Sequence, residues 1–125
     1  LRRQADWILP MPISPQRMIE RGYNQAAWLA RQWCGCDARV RVHWLLKVRD
    51  TAAQAQADRT RRWQHLQGSM AIGRAHHAAL QGARVLLVDD VMTTGATLEV
   101  ATRCALRAGA VRVDVVVFAR TPEAG

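Results

Sequence analysis

With 125 residues, 50% of them hydrophobic and 22% charged, the chain has the composition of a single globular domain able to bury roughly two-thirds of its unfolded surface. No apolar run approaches the roughly 18 residues of a membrane span and no charged-then-apolar leader is legible, so no membrane insertion is expected and a cytoplasmic location is. The net charge of +8 admits a nucleic-acid partner without selecting one, because 17 of the 18 basic residues are arginine and only Lys47 is lysine, a bias that a GC-rich genome also produces.

Trp7 to Leu9 reads as a short apolar strand stopped by Pro10 and Pro12, since proline cannot donate to a ladder. Ser14 and Pro15 fit the N-cap and first position of a helix. Asn24 is a second N-cap, followed by Ala26, Leu29, Ala30 and Trp33 at helical spacing up to Gly35, with Trp28 and Trp33 read as packing residues. Val40 to Val48 alternates cleanly and predicts a half-buried strand with Val40, Val42, Trp44, Leu46 and Val48 on one face. Residues 51–66 are rich in alanine and glutamine with few large apolar side chains, so a helix there would dock weakly, as a hood over a site. Met70 to Ile72 reads as a short strand. Gly73 to Gly82 is a connection whose adjacent His76 and His77 are read as surface residues.

Val85 to Val88 is a continuous apolar run suited to a central parallel strand covered on both faces. The helix that follows the next loop should bury Leu98, Ala101, Thr102, Ala105 and Leu106, expose Glu99, Arg103 and Arg107, and end at Gly109. Val111 to Ala119 is a last strand. The cysteines, Cys34, Cys36 and Cys104, form no C-x-x-C pair, so neither a four-ligand zinc site nor a disulfide framework is expected, and Cys104 reads as a small core residue.

Residues 85–97, VLLVDDVMTTGAT, carry the chemistry. The aspartates lie at the carboxyl end of a central strand, where ligands bind in open α/β sheets. Thr93, Thr94, Gly95, Ala96 and Thr97 lead into a helix whose first N–H groups lack partners and attract anions. Gly95 can take a positive φ and let the backbone approach a phosphate, which the threonine hydroxyls would also bind. Asp89 and Asp90, as pure acceptors when ionised, suit sugar hydroxyls. Asp at a strand end and Thr at a helix start are each common as turn formers and caps; the combination on strand, loop and helix points to a ribose phosphate. A response-regulator receiver also places an acidic pair after such a strand, but most of that domain would have to follow, and only 35 residues come after Asp90.

The run of hydrophobic residues, two aspartates and T-T-G-x-T resembles the signature of type I phosphoribosyltransferases. The resemblance implies an α/β fold with a central parallel sheet flanked by helices and a small hood segment, and binding of 5-phosphoribosyl 1-pyrophosphate (PRPP) with Mg²⁺. Asp89 and Asp90 would hold the ribose hydroxyls and, as the catalytic residues, serve as a base or stabilise positive charge near C1′, and Thr93 to Thr97 would hold the 5′-phosphate. Residues 9–31, with Pro10, Pro12, Arg17, Arg21, Gly22, Tyr23, Asn24 and Gln25, are similar to a segment of the ComF/GntX family, whose loop after the first strand contacts pyrophosphate. That assigns Met11, Pro12, Arg17 and Arg21 to the pyrophosphate. The residues agree, because Arg17 and Arg21 share a helix face and repel unless an anion lies between them. Residues 49–70 resemble the family more weakly: Arg49, Thr51, Gln54 and Arg62 fit, while Ala57, His65 and Met70 depart from its pattern.

The expected function is therefore Mg²⁺-dependent transfer of a phosphoribosyl group with release of pyrophosphate, with no metal held by protein groups alone. The resemblance also implies a link to competence and DNA uptake, and a zinc-ribbon region preceding this domain that is absent here, in keeping with a chain that starts at Leu1. The alternative is a non-catalytic module binding sugar phosphate or single-stranded DNA beside a helicase-like partner. Arg59, Arg61, Arg62 and Trp63 are its candidate nucleic-acid contacts, since arginines with an interleaved aromatic can stack on bases.

Overall fold

The computed structural model describes residues 2–48, 68–92 and 95–121. Three parallel strands form the central sheet: β1 (Trp7–Pro10), β4 (Arg84–Met92) and β5 (Arg112–Arg120), in the order β1-β4-β5. Trp7 pairs with Val85 and Val88 with Val116, which fixes β4 in the middle as its unbroken apolar run requires. A short antiparallel pair, β2 (Leu45–Lys47) and β3 (Met70–Ile72), stands beside the sheet.

Side-chain alternation sends the two faces of β4 to two cores. Val85 and Leu87, with Leu9 of β1, pack against Leu98, Ala101 and Ala105 of helix α4 (Ala96–Arg107) and against Leu45, Met70 and Ile72 of the β2–β3 pair. Leu86 and Val88, with Ile8, pack against Ala30 of helix α2 (Gln25–Cys34) and Val40. Helix α1 (Pro15–Arg21) connects β1 to α2, and a single turn, α3 (His77–Leu80), precedes β4.

The caps form as expected. Ser14 accepts the Arg17 N–H at 3.2 Å ahead of Pro15, and Asn24 accepts the Ala27 N–H at 3.1 Å. Gly35 ends α2 at a φ of 68°. Cys104 is half-buried against the main core, its thiol donating to the Met70 carbonyl, and burial pushes that thiol's pKa up.

Several expectations need correction. The strand predicted over Val40 to Val48 is only Leu45–Lys47, with Val40 in an isolated bridge to Ile8. A turn at 42–43 reverses the parity, so Leu45 is buried while Leu46 and Val48 face outward. Trp33 packs edge-on against Phe118 under the Arg2 guanidinium, but Trp28 is exposed and packs nothing into the core. In α4, Val100 takes the buried place expected of Leu106, which is 46% exposed. The connection from Gly73 to Gly82 contains a 3₁₀ turn and α3. There His76 stacks on Trp44 at 4.7 Å and a His77 ring nitrogen meets the Ile72 carbonyl at 3.0 Å. β4 continues four residues beyond Val88, so Asp89 and Asp90 lie within the strand and not at its end. No helix among the described residues is long and apolar enough to cross a membrane.

Candidate functional site

Carboxyl ends of parallel strands gather helix N-termini around them, and here two helices meet across such a space. The chain leaves β1 at Pro10, and the Met11 N–H donates to the Val88 carbonyl at 2.8 Å, holding the loop against β4. Ser14, fully buried, closes that loop by capping α1. Arg17 and Arg21 follow on one face of α1, a turn apart and exposed. Gly22, at a φ of 81°, ends α1, and Asn24 caps α2, whose first residues also line the cavity.

From β4 come Asp89, which is 9% exposed, and the half-buried Asp90. Asp89 accepts the Asp90 backbone N–H at 2.9 Å. Burial pushes the Asp89 pKa up to about 7, and the Asp90 side chain adds to the shift through hydrogen bonding and charge. Lys47 opposes it. Asp89 thus keeps its proton to a higher pH than an ordinary aspartate, and when protonated it can donate a hydrogen bond to a hydroxyl as well as accept one. Beyond β4, Gly95 adopts a φ of 83° and opens α4, whose second residue is Thr97.

These parts enclose one cavity of about 190 Å³. Met11, Pro12, Arg17, Arg21, Asp89, Asp90 and Thr97 all line it, so sites chosen from two separate sequence segments converge. Gly95 and Ala96 form the turn into α4 without lining the cavity. Thr93 and Thr94 lie outside the described residues, as do Arg59, Arg61, Arg62 and Trp63.

Lys47, Asn24, Gln25, Ile13 and Ser14 also line the cavity and were not assigned to it from sequence. Lys47 had one signal, being the only lysine in an arginine-rich chain; β2 carries it to the rim opposite Met70. The cavity therefore carries both signs of charge. Three cationic side chains, Arg17, Arg21 and Lys47, line it together with two carboxylates, Asp89 and Asp90, and with Thr97 of the first turn of α4.

The phosphoribosyl transferase domain model matches residues 46–125, more than half of the chain. The chain belongs to that family. As a member of the phosphoribosyl transferase domain family it is 35% identical over 102 residues to the competence protein ComFC of Bacillus subtilis, an alignment covering 82% of this chain and 39% of ComFC. It is 31% identical over 121 residues to the DNA utilization protein YhgH of Salmonella typhi, covering 93% of this chain and 50% of YhgH. The chain thus spans at most about half the length of these curated relatives. The fold is similar to that of a purine phosphoribosyltransferase from Pyrococcus horikoshii, with a TM-score of 0.50 and 18% identity over 95% of this chain and 63% of that one. The architecture is accordingly the phosphoribosyltransferase one, a central parallel sheet flanked by helices.

Proposed function

We propose that this domain binds PRPP with Mg²⁺ and transfers the phosphoribosyl group to an acceptor nucleophile, releasing pyrophosphate. The observation that carries this reading is the single cavity shared by Asp89, Asp90, Thr97, Arg17, Arg21 and the Met11–Pro12 loop. In it the aspartates take the ribose 2′ and 3′ hydroxyls. The segment from Thr93 to Thr97 takes the 5′-phosphate, and the arginines with the loop take the pyrophosphate.

During transfer the bond from C1′ to the pyrophosphate oxygen breaks with its electron pair leaving on that oxygen, while an acceptor lone pair forms the new bond at C1′. Arg17 and Arg21 stabilise the charge that builds on the leaving group. Asp89 and Asp90 fix the sugar and face the positive charge that develops on the ring. Preorganisation of these groups is the main task, because the substrate is already activated.

Among the described residues no three His, Cys, Asp or Glu side chains cluster, and Asp89 and Asp90 are the carboxylates lining the cavity. This sparse donor set fits Mg²⁺ held largely by substrate oxygens and water, with the aspartates as the protein oxygens available to it. Bound there, the ion would neutralise charge on the departing pyrophosphate.

The names of the relatives support placing the whole protein in DNA uptake or use. Single-stranded DNA and a helicase-like protein are its proposed partners. Pyrophosphate release from labelled PRPP, measured with Mg²⁺ and a panel of nitrogen heterocycles, tests the enzymatic reading: wild type should turn over and the Asp89→Asn/Asp90→Asn double variant should not. Tight PRPP binding without turnover would leave a sugar-phosphate-binding module. For DNA, the Arg59→Gln/Arg61→Gln/Arg62→Gln triple variant should flatten the salt dependence of single-strand binding.

A further inference from the structure

The loop that reaches the pyrophosphate side of the cavity is governed from outside itself, by the side chain of Asn24. Its two amide atoms do different work. Oδ1 accepts the Ala27 N–H at 3.1 Å and caps α2, while Nδ2 donates to the Met11 carbonyl at 3.0 Å. Only one orientation of the amide satisfies both, because the Ala27 N–H can only donate and the Met11 carbonyl can only accept.

The second bond fixes a peptide plane that has no other polar handle. The Met11–Pro12 peptide joins a carbonyl to a proline nitrogen with no hydrogen, so its orientation can be held through the Met11 oxygen alone. Met11 itself is buried and tied to β4 through its own N–H, and Ser14 is tied into the α1 cap. Pro12 and Ile13 line the cavity between these two anchored ends, with the first peptide plane held by Asn24.

We infer that Asn24 is a positioning residue for the pyrophosphate subsite, locking the Met11–Pro12 loop and the N-terminus of α2 to one another through a single side chain. The inference rests on the PRPP reading above. It also accounts for the residue type. Ser or Asp would cap α2 about as well as Asn; Ser is too short to reach the Met11 carbonyl, and Asp would set an acceptor against it. Among these caps, Asn alone can bridge both elements.

The test is calorimetric titration of wild type, Asn24→Ser and Asn24→Asp with pyrophosphate in Mg²⁺ buffer and, separately, with ribose 5-phosphate. Both variants retain a capping oxygen, and their thermal melts report whether α2 stays docked. The expected result is a loss of about tenfold in pyrophosphate affinity for each folded variant, with ribose 5-phosphate affinity unchanged. Asn24→Ser, being neutral, separates loss of the clamp from the charge that Asp adds. Pyrophosphate binding within about twofold of wild type in Asn24→Ser, or an equal loss of both ligands, would overturn the inference while leaving the PRPP reading intact. If wild type binds neither ligand, the PRPP reading fails and this inference fails with it.

Discussion

Asp90 donates its backbone N–H to the side chain of Asp89 at 2.9 Å, so the second acid of the pair solvates the first through its main chain while its carboxylate repels it. Burial is the larger influence and carries Asp89 to about 7. A sugar hydroxyl brought to this pair would replace the solvation that burial removed, which is why a ligand site can hold an acid in so unfavourable a place.

The elevated pKa has a definite sign in stability. Asp89 holds its proton more tightly folded than unfolded, so its contribution to stability is fully present below its ordinary value of 3.8 and is lost as pH rises through about 7. Asp89→Asn removes the ionisation and keeps an oxygen that can accept the Asp90 N–H. It should melt about 4 °C above wild type at pH 8, with the gap closing near pH 4. Thermal unfolding across that range measures it, and a wild type that gains stability steadily from pH 5 to 8 would contradict the assignment.

Arg17 and Arg21 should show affinity and stability moving in opposite directions. One turn apart on an exposed face, they repel in the free protein by a few tenths of a kcal/mol. Arg21→Gln should therefore melt at or slightly above the wild-type temperature while binding pyrophosphate about tenfold more weakly. A titration at two salt concentrations checks it, because losing a true phosphate contact also reduces the salt dependence.

Much of this arrangement is legible in the sequence, and what is not has a physical reason. The caps at Ser14 and Asn24 could be read because they act within four residues of themselves. The acidic pair could be read because a run such as Val85 to Val88 tolerates few positions other than a sheet centre. Alternation from Val40 to Val48, by contrast, was preserved in the letters while a turn at 42–43 broke it in space, since period-two patterning carries no information about where a strand stops. Lys47 reaches the cavity through its pairing with Met70, a contact between segments that no local spacing encodes. Leu106 lies outside the core because helical periodicity fixes the edges of a stripe only loosely, and Val100 is the residue buried there.

Gly95 should be sensitive for conformational and not steric reasons. Its φ of 83° is left-handed, yet an added Cβ would meet only the Met92 sulfur at 3.6 Å, an ordinary contact. Gly95→Ala should cost about 1–2 kcal/mol and weaken ribose 5-phosphate binding, because relief of the strain tilts the first turn of α4. Calorimetry with ribose 5-phosphate and with pyrophosphate should show the loss confined to the former.

Gly109 provides the matching change at the other end of α4. Its φ is 117°, and a Cβ there would collide with the Gln81 side-chain amide, whose nitrogen donates to the Ala108 carbonyl at 2.6 Å. Gly109→Ala must displace that amide as well as strain the backbone, so unfolding should become easier by about 2 kcal/mol. The 12-residue helix separates this position from the cavity by roughly 18 Å, and α4 is anchored along its length by Leu98, Val100, Ala101 and Ala105. Both ligands should therefore bind the folded variant as they bind wild type. A fall in ribose 5-phosphate affinity matching that of Gly95→Ala would mean that the phosphate turn senses the whole helix, and that α4 moves as one rigid piece.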